Sequence, residues 1–231
     1  MEAQRKVAKA LDTWFDNISD FMPAEVLEEL PRAETPPEKE ILGLPSDFPY
    51  SARTRLGLDT LTKTELCLRI GQLHDALGKL RNALGLKSFL VRQKKRLASG
   101  QGPLLRSETE ISRAGRQVQK WKVVYQRGWE ALTRLREGSE SFGMEIQLRP
   151  LRELRDEDCI MLSEWLDDHR LWRERGEIAE VEAREKGGGR RELPWFWKTQ
   201  FENGEDTGML LTTVQTWTED GEWYIFTVSL Y

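Results

Sequence analysis

The chain has 231 residues, of which 39% are apolar and 32% charged, and it carries a formal net charge of −4. The apolar share lies below the roughly 45–50% of ordinary globular domains and the charged share above their ~25%, and the length suits one domain or a pair of small ones. No apolar run approaches the ~18–20 residues of a membrane span, which excludes a spanning segment.

Residues 1–22 mix basic residues with Asp12, Asp16 and Asp20 and hold no apolar h-region. They are expected to be neither a secretory signal nor a transit peptide. Cys67 and Cys159 stand far apart without a CxxC partner. Disulfide and zinc frameworks therefore drop out, and a reducing, intracellular compartment, cytoplasmic or nuclear, is expected.

The charge is segregated. Residues 1–62 carry 7 basic and 12 acidic side chains, residues 63–136 carry 17 and 5, and residues 137–231 carry 11 and 22. A basic block between acidic flanks has two readings. It is a surface for nucleic acid or phosphate, or it is the complement of acidic segments on its own chain or a neighbouring subunit.

In chain order, residues 1–30 read as an amphipathic helix. Val7, Leu11, Trp14, Ile18 and Phe21 recur at spacings of four and three, and Pro23 marks its end or a kink. Five of the nine prolines fall from Pro31 to Pro49. Residues 31–60 are accordingly expected to form a Pro-rich extended linker.

The strongest pattern covers residues 61–136. Leu66, Ile70, Leu73, Leu77, Leu80, Leu84 and Val91 form a heptad seam, with Thr62 or Thr64 as the expected cap and Glu65 as a capping-box partner of Thr62. The breakers Ser99, Gly100, Gly102 and Pro103 follow. Ile111, Ala114, Val118, Trp121, Tyr125, Gly128, Leu132 and Leu135 then make a second seam. Two helices of about 33 residues, each roughly 50 Å long, joined by a tight loop predict an antiparallel αα-hairpin. Trp121 is expected as a core anchor.

A third packing helix is expected over residues 148–187, carried by Leu151, Leu154, Met161, Leu162, Trp165, Leu166, His169 and Trp172. Residues 188–231 read as a Gly/Trp-rich tail. Within it, β-prone runs on either side of Asp220-Gly221 suggest a short C-terminal β-hairpin. The fold class is thus all-α: an elongated, coiled-coil-like antiparallel helical hairpin with a third helix and that small appendage.

Leu44 to Pro49 (LPSDFP), then RTRLGLDTL and LCLRIGQLHDALGKLRNALGLKSFL, resemble a helical region of fungal KDZ (Kyakuja–Dileera–Zisupton) transposases and the related CxC cysteine-cluster proteins. The matching residues are Leu68-Arg69, Gly71-Gln72, Asp75-Ala76-Leu77 and Leu80-Arg81. Further matches are Leu151-Arg152-Glu153-Leu154, Asp156 to Asp158, and Gly188 to Trp197, so the resemblance spans roughly residues 40–198. In that family the region lies outside the catalytic domain. The resemblance therefore implies a non-catalytic accessory role in self-association or partner binding, and it transfers no active site. Residues 203–231 depart from the family pattern, which fits a shortened or remnant gene product.

No constellation for catalysis, cofactor or metal binding stands out. His74 and His169 read as packing or surface histidines. Asp156, Glu157, Asp158, Asp167 and Asp168 read as an acidic helix start and a solvated face. No phosphate-binding glycine motif follows a strand, so neither a cofactor nor a small-molecule substrate is expected. Lys87, Arg92, Lys94, Lys95, Arg96, Arg106, Arg113 and Arg116, with Lys120 and Lys122, cluster around the hairpin tip. They are candidate phosphate contacts for sequence-independent nucleic-acid binding, set against ordinary solvated coiled-coil positions. Trp195, Phe196 and Trp197 read as a docking element or as a packed end of the same bundle.

Overall fold

The computed structural model describes residues 2–29, 36–37, 40–97, 101–138, 151–161, 163–165 and 194–198. Its helices are α1 (Glu2–Ile18), α2 (Ala24–Glu29), α3 (Tyr50–Arg55), α4 (Asp59–Leu97), α5 (Gln101–Arg136) and the single turn α6 (Trp195–Lys198). No strand occurs among the described residues. The long helices α4 and α5 pack against each other as a hairpin. They hold 39 and 36 residues, about 58 and 54 Å at 1.5 Å per residue. Two compact units divide the chain: Met1–Leu73 with Arg127–Arg149, and His74–Gln126 with Pro150–Tyr231.

In the first unit the core gathers Ile18, Met22, Val26, Phe48 and Leu58, with Trp14, Phe15, Ala52, Leu56 and Leu61 packed against it. The apolar stripe of α1 leads into this core, and the Trp14 indole N–H donates to the Leu42 carbonyl at 2.9 Å. Phe21 is exposed instead of continuing the stripe. The helix stops at Ile18, and a turn brings Met22 inward, its amide donating to the Ile18 carbonyl.

The linker expected over residues 31–60 is folded where it is described. Pro45–Asp47 is a 3₁₀ turn, closed by the Leu44 amide donating to the Asp47 carboxylate at 3.0 Å, and α3 follows directly after Pro49. Both prolines sit at helix starts, where the missing N–H leaves no hydrogen bond unmade. Proline density there marks initiation of short helices, not extension. Gly57, at φ +64°, ends α3: its amide donates to the Thr54 carbonyl and the Leu58 amide to the Arg53 carbonyl. That pattern is a Schellman turn, and it sends Leu58 into the core.

Helix α4 then begins at Asp59, earlier than the expected caps. Thr62 and Thr64 therefore lie inside the helix, and Glu65 has other partners. Its carboxylate accepts from the Ser46 amide at 2.9 Å, from the Ser46 hydroxyl at 2.7 Å and from Arg69 at 2.9 Å. The seam residues Leu66, Ile70 and Leu73 are buried, as are Leu132 and Leu135 of α5. A Cβ on Gly128 would come within 3.1 Å of a Leu73 methyl, so the close approach of the helices here depends on that glycine.

The second unit continues both seams. Leu77, Leu80, Leu84, Ala114 and Tyr125 are buried, together with Leu151, Leu154, Met161, Trp165, Phe196 and Trp197. The described part of the apolar face expected of a third helix (Leu151, Leu154, Met161 and Trp165) is thus buried, but the backbone that carries it differs. Among the described residues of this stretch, 151–155 are not helical, 156–158 form a 3₁₀ turn, and 163–165 are helical. Side chains of α5 hold this backbone. The Tyr125 hydroxyl donates to the Arg152 carbonyl at 2.6 Å, and the Gln126 amide donates to that of Leu154 at 3.1 Å. Those two bonds satisfy carbonyls of the non-helical stretch 151–155 that have no helical N–H partner. The remainder of the expected third helix and the β-hairpin tail lie outside the described residues.

Candidate nucleic-acid interface

The candidate basic cluster lies where α4 ends and α5 begins. Between Lys87 and Lys120 the chain has nine basic residues against two acidic ones, Glu108 and Glu110. The last turn of α4 holds Lys94, Lys95 and Arg96, cations that favour the negative end of the helix dipole. On α5, Arg106, Arg113 and Lys120 recur every seven residues, with Arg116 between the last two, so one side of the helix is basic.

These residues are not equivalent. Lys95, Arg96, Arg106, Arg113, Arg116 and Lys120 are exposed, whereas Lys87, Arg92 and Lys94 are half-buried. The Lys94 ammonium pairs with Glu108 at 2.8 Å, tying the two helices together. Among the described residues none of Lys95, Arg96, Arg106, Arg113 and Arg116 is ion-paired. Lys122 is withdrawn from the cluster: it pairs with Asp156 at 3.0 Å and is largely covered.

Trp121, expected in the core, is half-buried. The ammonium of Lys79 lies 4.6 Å from its ring centroid and that of Lys120 lies 4.8 Å away. The helix that offers the basic row thus offers an indole beside it. Sequence reasoning missed Lys79, which stands on the other helix; only the pairing of the two seams reveals it.

Trp195, Phe196 and Trp197 are not a free docking element. Phe196 and Trp197 are buried and Trp195 half-buried, with the Tyr125 and Trp195 rings 6.1 Å apart. The Arg81 Nε–H donates to the Phe196 carbonyl at 2.8 Å, and burial lowers the Arg81 pKa to about 10. Burial also pushes the Tyr125 phenol above its usual range.

A second polar cluster, in the first unit, is structural. Buried Arg53 donates from Nη2 to the carbonyls of Arg134 at 3.0 Å and Glu137 at 2.9 Å. It therefore caps the C-terminus of α5, whose orphan carbonyls require donors. Gly138, at φ +81°, allows the turn beside it, where a Cβ would collide with the Tyr50 ring. Arg53 was not among the sequence candidates, since nothing in a lone arginine of a short helix signals burial.

His74 is exposed on α4, and His169, Asp167 and Asp168 lie outside the described residues. Among the described residues no group of His, Cys, Asp and Glu is placed to hold a metal ion, and no helix is long and apolar enough to cross a membrane. Comparison with family models, curated proteins and solved structures returned no match.

Proposed function

We propose that the protein is a non-enzymatic, intracellular helical module whose α4–α5 hairpin binds the backbone of nucleic acid, without base readout, through its basic tip. The observation that carries this reading is the row of exposed cations Lys95, Arg96, Arg106, Arg113 and Arg116, opposed by only two acidic residues along the same stretch. Cations in such a row displace the counterions condensed on a phosphate backbone, which gives salt-dependent, sequence-independent affinity.

An accessory role beside a KDZ-type transposase, as the resemblance implies, is compatible with this activity and forms part of the proposal. Self-association or capture of a protein partner would draw on Trp195, Phe196 and Trp197. Phe196 and Trp197 are buried within the chain itself and Trp195 is half-buried, so the exposed basic row is the better-supported surface.

The experiment is a titration of a labelled oligonucleotide with the full chain and with the variant Lys95→Ser, Arg96→Ser, Arg113→Ser, Arg116→Ser, at about 50 and 200 mM salt. The variant is expected to keep its helicity and bind more weakly, with a salt slope flatter by about 3–4 units for four lost phosphate contacts. An unbound wild-type chain at the lower salt, or a variant that binds as wild type does, contradicts the proposal.

A further inference from the structure

Resting on that reading, we infer that the hairpin selects single-stranded nucleic acid, with Trp121 as a stacking platform for an unpaired base and Lys79 and Lys120 as the phosphate contacts flanking it. The indole is half-buried and both ammonium groups lie within 5 Å of its ring centroid. In the free chain, cation–π attraction holds the lysines over the ring. A phosphate attracts each ammonium more strongly than a ring quadrupole does, because it carries a full charge. As the strand arrives the lysines move to its phosphates and uncover the indole.

The row Arg106, Arg113, Arg116 and Lys120 leads to that indole along about 21 Å of helix, enough to track several nucleotides of an extended strand. A cationic track that ends on an aromatic face is the arrangement by which single strands are held without sequence preference. A duplex offers the same phosphates, but its bases are stacked and have no free face for a side chain fixed on a helix. The indole therefore adds affinity for an unpaired strand alone.

The test uses the full chain, labelled oligo(dT) of about 20 nucleotides, a duplex of the same length, and the variants Trp121→Ala and Trp121→Phe. The wild type is expected to bind oligo(dT) more tightly than duplex at equal salt. Trp121→Ala is expected to lose about 5-fold or more for oligo(dT) with an unchanged salt slope, and to bind duplex as before. Trp121→Phe keeps a ring and is expected to stay within about twofold of wild type, since any aromatic face serves a base.

Tryptophan emission gives a second readout that does not depend on the alanine variant folding. Oligo(dT) is expected to quench the wild type more than Trp121→Phe, and equal quenching overturns the inference. So does an alanine variant that folds and binds oligo(dT) as wild type does, or a wild type that prefers duplex. If the fourfold serine variant weakens binding while both Trp121 variants leave it intact, stacking falls and the backbone reading stands. If the wild type binds neither nucleic acid, both fall.

Discussion

Two cysteines separate what a residue is from where it sits. Cys67 is exposed on α4, whereas Cys159 is half-buried behind the 3₁₀ turn, its Sγ donating to the Arg155 carbonyl at 3.7 Å. Burial pushes the Cys159 thiol up to about 11, the nearby Asp158 and Asp156 adding to the rise and Lys122 opposing it. The thiolate is the reacting species, so at about pH 8 only ~0.1% of Cys159 is reactive. Alkylation of the folded chain is expected to modify Cys67 first, with Cys159 following only after unfolding or in strong alkali. Equal rates at the two sites in a timed mass-spectrometric assay contradict this placement.

The same shift bears on stability. The folded chain holds the Cys159 proton more tightly than the unfolded chain, whose thiol titrates near ~8.5. Its contribution is therefore complete below that pH and is lost as the pH rises toward 11. Residue type alone revealed little at this scale. Trp121, Trp195 and Trp197 are chemically identical, yet Trp121 lies half-buried between two lysines, Trp195 lies half-buried beside Tyr125, and Trp197 is buried beside Phe196. The difference comes from contacts between residues distant in sequence.

At the scale of elements, α4 and α5 were legible because their leucines keep helical spacing over many turns, and only one face can then be buried. The segment 151–161 was not, because leucines three apart suit a helix, while the hydrogen bonds from Tyr125 and Gln126 that hold this non-helical backbone come from residues distant in sequence. The prolines of residues 45–49 misled for a related reason: one residue type ends long helices and begins short ones.

The glycines of α4 give a quantitative check. A Cβ added at Gly71 or Gly78 meets nothing within 4 Å, whereas at Gly128 it meets Leu73 at 3.1 Å. Gly71→Ala and Gly78→Ala are expected to stabilise the protein by about 0.5–1 kcal/mol each, through lower backbone entropy in the unfolded chain. Gly128→Leu overpacks the seam and is expected to cost about 1–3 kcal/mol. Urea unfolding measures all three. A Gly128→Leu variant as stable as Gly71→Ala contradicts the packing of α5 on α4 described here.

At the scale of the whole molecule the governing feature is charge order along the chain. The basic middle block was legible in full from the sequence, and the folding of its residues into two adjoining helices concentrates it. Part of the block is neutralised internally, at Lys94 with Glu108 and at Lys122 with Asp156. The pairing of these two was not legible, because it depends on which helix turns face one another.

What remains exposed predicts where a polyanion binds. Lysine acetylation of the full chain, with and without a saturating oligonucleotide, tests this most directly, since Lys79, Lys95 and Lys120 of the second unit and Lys6, Lys9 and Lys63 of the first are all exposed. The oligonucleotide is expected to shield Lys79, Lys95 and Lys120 and to leave Lys6, Lys9 and Lys63 as reactive as before. Shielding of Lys6, Lys9 and Lys63 with Lys79, Lys95 and Lys120 unprotected, or equal shielding of all six, contradicts it.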